Sequence, residues 1–366
     1  MTTGHLPGIR DRIDALDERI VELLNQRAVL SREVGRIKAA SSEEVFKPSR
    51  EKEILDRLVR LNRGDLPEEH LLSIYREVLS SSRALQRPQA VAYLGPEGTF
   101  SHQAALEHLG QSMEFAPQAT LRGVFLAVDS RKADLGVIPL ENSMQGSVGQ
   151  SLDLFLQYPV HIHAELYSRV SHALLAAHND LGRIHTVYSH PQALDQCAAW
   201  LRARMPHAAV VPTESTAQAA IRAEQEGPGA AAIGHPALTG HGNLKVVAGD
   251  IQDLPGNWTR FLVIGSAPAT GEGRDKTSLL LTTPDRPGAL AAVLNLLAAK
   301  GLNLAKLESR PLKAERWKYV FFMDVECDLS QKRHADTMAE LAGLCHTMRV
   351  LGSYPPGLSP HGREDA

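Results

Sequence analysis

The stretch IRDRIDALDERIVELLNQRAVLSREVGRIKAA, residues 9–40, sets apolar side chains at Ile9, Ile13, Leu16, Ile20, Leu23, Leu30, Val34 and Ile37. The intervals alternate between four and three, with one gap at position 27. That is a heptad seam on a single continuous helix of about 30 residues, which packs along its whole length. Arg27 occupies the gap, and a charge on a buried seam is costly unless it is paired or hydrogen-bonded. Either it snorkels to water or meets a structural carboxylate, or it lines an anion site. Lys38 lies close to three turns further on and shares that face, with α-carbons ~16 Å apart. Two such side chains can grip a small dianion. Arg10 lies ~42 Å from Lys38 along a straight helix, so it reaches the same ligand only from an antiparallel partner helix. A site that includes Arg10 therefore requires a dimer.

Outward from this helix, the pattern predicts a second one after Pro48-Ser49, with Ser49 as N-cap and Arg50-Glu51 in its first turn. A third is predicted from Pro67 to Gln86. Its apolar stripe of Leu71, Tyr75, Val78 and Leu85 includes Ser82, with Gln86 one turn later. Polar groups on such a stripe need partners, which points to a polar pocket in the bundle; for Ser82 alone, bonding back to its own helix serves equally well.

Residues 9–86 resemble the all-helical chorismate mutase family through Ile9-Arg10-Asp11-Arg12-Ile13-Asp14-Ala15-Leu16-Asp17, Val34-Gly35-Arg36-Ile37-Lys38 and Pro48-Ser49-Arg50-Glu51. The resemblance implies that Arg27, Arg50 and the partner subunit's Arg10 bind the two substrate carboxylates. It likewise places Lys38 and Gln86 at the ether oxygen, and Glu51 and Ser82 at the hydroxyl. Lys47 departs from the acidic residue of some relatives. Chorismate rearranges by a pericyclic shift, which needs no nucleophile: the enzyme holds the compact conformer and stabilises charge developing on the ether oxygen.

Beyond a linker at Gln86–Gln89, short strands alternate with helices up to Gly265, an α/β pattern. Val91–Leu94, Val137–Leu140, Thr186–Tyr188 and Val210–Pro212 each run into a polar turn and then a helix. Such helix starts bind carboxylates, although a Ser or Thr there is most often a simple cap. Ligands bind outside the carboxyl ends of strands in α/β domains. No P-loop and no dinucleotide fingerprint is present.

The strings Gly95-Pro96-Glu97-Gly98-Thr99-Phe100-Ser101, Pro139-Leu140-Glu141-Asn142-Ser143, Ser189-His190-Pro191-Gln192-Ala193, Glu214-Ser215-Thr216-Ala217 and Thr259-Arg260-Phe261 resemble, in this order, those of prephenate dehydratases. The resemblance implies two lobes around a cleft, as in type 2 periplasmic binding proteins. Val91–Val170 with a return near Trp258–Ile264 would form one lobe, and Ser171–Asp250 the other. It also implies that Thr259 assists departure of the ring hydroxyl, acting as a hydrogen-bond donor because its own acidity is too weak. Asn142, Ser189, Gln196 and Glu214 match further functional positions, as do Thr99, Arg260 and Glu141; His190, beside a helix-starting proline, is expected to be structural.

After a Gly-rich linker at 266–276, the order strand, helix, strand, strand, helix, strand is that of a ferredoxin-like sandwich. Gly288-Ala289-Leu290 and Glu308-Ser309-Arg310-Pro311 resemble the phenylalanine-binding segments of ACT domains, which implies an effector site between two such domains. Ala291 stands where relatives often carry Val. The tail from Tyr354, with Pro355, Pro356 and Pro360, is expected to be disordered.

The chain of 366 residues, 43% hydrophobic and 22% charged, thus reads as multidomain: a helical domain over 1–88, a two-lobed α/β domain over 89–266, an ACT domain over 275–353 and a tail over 354–366. A net charge of −3 argues against a nucleic-acid partner. Cys197, Cys327 and Cys345 are too few and too scattered for a disulfide framework or a zinc site. No run has the length of a membrane span, and the N-terminus lacks a signal-peptide core, so a cytoplasmic enzyme without metal or cofactor is expected. The implied function is conversion of chorismate to prephenate and then phenylpyruvate by a homodimer or higher oligomer, with phenylalanine as effector. An arogenate dehydratase and a non-catalytic amino-acid sensor are the alternatives.

Overall fold

The computed structural model describes residues 6–41, 43–312 and 319–357, with the backbone alone at 240 and 241. Two compact units divide the chain: one takes the residues up to Lys47, Ile54–Gln89 and Leu109–Glu114, the other Pro48–Glu53, Ala90–His108 and Phe115 onward.

The first unit is helical. α1 (Leu6–Ser41) is the single long helix predicted, followed by α2 (Pro48–Leu61) and α3 (Glu68–Gln86). Ser49 is not the N-cap of α2: the helix begins at Pro48, and Lys47 takes the cap position without a side-chain bond. A proline there has the required φ and no N–H to leave unsatisfied. α1 packs on α3, and the approach is close because position 35 is glycine: a Cβ there would stand 2.7 Å from the Gln86 α-carbon. That crossing also decides which side of α3 is buried. Leu79 and Leu72 lie seven and fourteen residues before Gln86, on its face, and are buried, whereas Leu71, Tyr75 and Val78 of the predicted stripe are only half-buried. Among the described residues the apolar seam of α1 is uncovered: from Ile9 to Ile37 its members are 43–63% exposed.

In the second unit, β1 (Ala90–Leu94), β2 (Glu114–Gln118), β3 (Leu135–Asn142), the short β4 (Gly146–Ser147) and β5 (His161–Arg169) enter one sheet. β6 (Ala173–Ala176), β7 (Thr186–Ser189), β8 (Ala209–Pro212), β9 (Ala230–Gly234) and β10 (Lys245–Ala248) form a second, and β11 (Trp258–Gly265) returns to the first between β3 and β5. The two lobes and the return strand are those expected. α4 (Phe100–Leu109) follows β1, α5 (Leu121–Asp129) follows β2 and α6 (Gly149–Phe155) follows β4; α7 (Pro191–Gln196) and α8 (Ala198–Arg204) follow β7, and α9 (Thr216–Glu226) follows β8, so three of the four strand–turn–helix units form as read, while after β3 the turn first pairs as β4.

A third sheet holds β12 (Lys276–Thr282), β13 (Leu304–Pro311), β14 (Tyr319–Val325) and β15 (Thr347–Tyr354) in the order β13-β14-β12-β15. Its helices fill the two crossovers at Ala289–Ala299 and Ala335–Leu344. Alternation along the strands serves two cores. Leu279, Leu281, Met323 and Val325 pack with Val293 and Leu297 of the first crossover helix. Leu280, Phe322, Leu351 and Tyr354 face the other way and join the core of the first lobe with Phe155 and Ile162. Tyr354 is therefore no part of a disordered tail: it is fully buried as the end of β15, and the Gly357 N–H donates to Glu165 Oε1 at 2.9 Å. The rest of that tail, and Lys318 before β14, lie outside the described residues.

Candidate active sites

In the helical unit, the Gly35 crossing brings the middle of α1 against the end of α3. The Arg27 guanidinium donates to the Ser82 hydroxyl and, at 3.4 Å, to the Val78 carbonyl. The Ser82 hydroxyl donates to the same carbonyl at 2.7 Å. The seam charge has thus found neutral oxygen acceptors, which leaves its formal charge unneutralised by these contacts. Lys38 Nζ donates to the Val45 carbonyl at 3.0 Å, and Gln86 Oε1 is buried without a hydrogen-bond partner. Arg50 is exposed and pairs with Glu53 at 2.8 Å. Arg10 lies on the exposed N-terminal part of α1.

Between the two lobes lies a cleft of about 500 Å³, a size suited to a small organic substrate. Thr99, Asn142, Gln196, Glu214 and Thr259 line it. Thr99 spans the turn into α4: its hydroxyl donates to the Leu94 carbonyl at 2.8 Å. Asn142 ends β3 opposite Thr259 on β11, and its Nδ2 donates to Thr259 Oγ1 at 3.0 Å. Because that oxygen is engaged as an acceptor, the Thr259 O–H is left to donate. Glu214 stands just before the Ser215 cap of α9. No lysine or arginine is among the described lining residues, so anionic groups in the cleft would meet neutral donors and the starts of α4 and α9.

Three expected residues, Arg260, Ser189 and Glu141, are elsewhere. Arg260 follows Thr259 on β11, and strand alternation turns it to the opposite face. It is buried 2.7 Å from both Glu165 and Asp324, where the carboxylates outweigh the effect of burial and hold its pKa above the usual value. Ser189 is fully buried at the end of β7, and its hydroxyl donates to the Ile233 carbonyl at 2.6 Å. His190 does line the cleft, and as expected it also serves its helix, its Nδ1 accepting the Gln192 N–H as the cap of α7.

Two residues absent from the sequence reading are brought in by the fold. His172, 2% exposed, lines the cleft with Nε2 2.7 Å from Gln196 Oε1, and burial holds its pKa below the usual value. Asn257 Nδ2 reaches the same Gln196 oxygen at 3.3 Å. The i, i+2 spacing of Asn257 and Thr259 was a usable signal for Asn257, whereas nothing local marks His172.

In the third sheet domain, a pocket of about 730 Å³ is lined by Gly288, Ala289 and Leu290. Glu308, Ser309, Arg310 and Pro311 are not part of it. Lys306, Glu308 and Arg310 instead face the first lobe: Lys306 pairs with Glu141, Ser147 donates to Glu308, and Arg310 lies 3.4 Å from Asp153.

Three family models match in succession: chorismate mutase type II over residues 9–87, prephenate dehydratase over 91–269 and the ACT domain over 277–343. A bifunctional chorismate mutase/prephenate dehydratase from Aquifex aeolicus is 42% identical over 96% of this chain and 98% of its own. The chain belongs to the bifunctional chorismate mutase/prephenate dehydratase family. Among solved structures, a prephenate dehydratase from Arthrobacter aurescens in complex with L-Phe is 32% identical, with a TM-score of 0.67 over 74% of this chain and 94% of that one. A protein described as a quorum-quenching acylase, GqqA, matches with the same TM-score at 28% identity over 75% of this chain and all of its own. The mutase, dehydratase and ACT models of this bifunctional family correspond in order to the helical unit, the two-lobed cleft and the third sheet.

Proposed function

We propose that the chain converts chorismate to prephenate in the helical unit and prephenate to phenylpyruvate in the cleft, under control by phenylalanine at the ACT domain. The mutase step asks only for a folded substrate and positive charge at the ether oxygen. Arg27 and Lys38 supply the cations, and Gln86, with a buried amide oxygen lacking a partner, supplies a further polar contact. Arg50, Glu51 and Ser82 complete the substrate contacts. The exposed seam of α1 supports a homodimer in which Arg10 of the partner subunit closes the site.

In the cleft, prephenate loses its ring carboxylate as carbon dioxide. The electron pair of that C–C bond restores the aromatic ring as the hydroxyl leaves from the opposite carbon. A proton converts the departing hydroxide to water. Thr259 donates a hydrogen bond to the leaving oxygen, and Asn142 holds Thr259 oriented by occupying its acceptor side. Gln196, Glu214 and Thr99 position the substrate, and the leaving carboxylate stays ionised.

The 3.0 Å Asn142–Thr259 contact at the cleft floor carries the dehydratase reading. Phenylalanine is assigned to Gly288, Ala289 and Leu290 of one ACT domain, with Glu308 to Pro311 contributed across the interface of two such domains. A cytoplasmic enzyme fits the reading, and among the described residues no helix is long and apolar enough to cross a membrane. Incubation with chorismate, following prephenate and phenylpyruvate with and without phenylalanine, tests the whole. Phenylpyruvate formation suppressed by phenylalanine is expected. Prephenate that accumulates would turn the second step toward arogenate, and no turnover would favour an amino-acid sensor.

A further inference from the structure

The polar side chains at the cleft floor form a chain whose direction is set by two backbone amides. The N–H groups of Met144 and Gln145 donate to Asn142 Oδ1 at 3.0 and 3.2 Å. A backbone N–H cannot accept, so the Asn142 amide is fixed with its nitrogen toward Thr259 Oγ1 and, at 2.7 Å, Asn257 Oδ1. Asn257 is thereby fixed in turn, with its nitrogen toward Gln196 at 3.3 Å. A flipped Gln196 would set two NH2 groups face to face. Its Oε1 is therefore the acceptor, and His172, 2.7 Å from that oxygen, must carry its proton on Nε2. Two buried atoms of this hydrogen-bonded chain are left without a hydrogen-bond partner, the acceptor His172 Nδ1 and the donor Gln196 Nε2 at the cleft.

We propose that Asn257 and His172 are positioning residues of the dehydratase site, which hold Gln196 with its amide nitrogen presented to an anionic oxygen of the substrate. The proposal rests on the cleft being the dehydratase site. Burial, which keeps His172 neutral, agrees with a histidine that donates through one nitrogen only. His172 also meets Phe100 edge-on, with ring centroids 5.4 Å apart, which fixes its ring plane. Neither residue need touch substrate: both act through one oxygen atom of Gln196.

The test is a double-mutant cycle on the full chain, reading kcat and KM for prephenate. His172→Leu and Asn257→Leu should each raise KM about tenfold, as expected for a mis-set hydrogen bond to a charged group, with much less change in kcat. In a Gln196→Ala background neither should raise KM further. His172→Gln, which can place an amide nitrogen near the position of Nε2, should recover most of the lost affinity. Increases that multiply in the Gln196→Ala background, or a His172→Gln variant no better than His172→Leu, would overturn the proposal. Mutase turnover by each variant reports folding, and should the Asn257 variant lose it, the His172 pair decides. An unaltered enzyme that turns over chorismate but not prephenate removes the dehydratase reading itself, a failure distinct from additivity.

Discussion

Thr259 and Arg260 are neighbours on β11 and face opposite sides of its sheet: Thr259 Oγ1 is 3.0 Å from Asn142 in the cleft, and the Arg260 guanidinium is 2.7 Å from Asp324 on β14. One peptide bond thus joins the residue assigned to the leaving hydroxyl and a buried ion pair to the ACT sheet. Lys276 on β12 shares Glu165 with Arg260, at 2.8 Å, and Tyr354 on β15 lies 3.3 Å from Arg260.

Removing one member of that cluster strands a buried charge. Asp324→Ala should destabilise the second unit by about 3–5 kcal/mol and lower kcat for prephenate while leaving mutase turnover intact. Urea unfolding together with the two activities checks this; an unchanged midpoint would show that the cluster contributes nothing.

Gly35→Val tests the helix crossing. A side chain 2.7 Å from the Gln86 α-carbon forces α1 and α3 apart and shifts Gln86 relative to Lys38. A displacement of about 1 Å costs on the order of 100-fold in rate, so mutase kcat should fall by about that much. Prephenate turnover serves as the internal control.

Arg27→Ala should abolish prephenate formation from chorismate and spare dehydration of supplied prephenate. Mutase turnover that survives at the normal rate would remove the helical pocket from the mechanism.

His163, His172 and His235 all have pKa values below the ordinary 6.5, chiefly through burial. The folded chain therefore holds them neutral where the unfolded chain takes up protons. Their contribution to stability is present above pH 6.5 and is lost as pH falls below it. The urea midpoint should drop between about pH 7 and pH 5, before most carboxylates titrate. A midpoint flat across that window would contradict the burial of these rings.

Most of this architecture was legible because it is local. The heptad spacing specified α1, and the odd residue on it, Arg27, does meet Ser82. Turn strings at strand ends placed Thr99, Asn142, Glu214 and Thr259 at one cleft. Arg260 lies next to Thr259 in sequence but outside the cleft, because the period of a strand sends adjacent residues to opposite faces. The Ser189 hydroxyl bonds inward to the Ile233 carbonyl, since a hydroxyl at a strand end bonds inward as readily as outward. His172 sits where the chain passes from one lobe to the other, just before β6, and the pairing of β6 with β9 and of β9 with β7, which leads into α7, brings it toward Gln196. Long-range placement of that kind leaves no periodic trace.

The bare seam of α1 links the first reaction to how much enzyme is present. A helix whose apolar residues have no cover among the described residues of their own chain gains it by mass action in the proposed homodimer, so dilution should loosen a mutase pocket that the partner subunit's Arg10 is proposed to close. The described lining of the cleft comes from a single chain. At falling concentration the two activities would part company, prephenate production failing first and its consumption persisting, so the intermediate would be drained rather than accumulate.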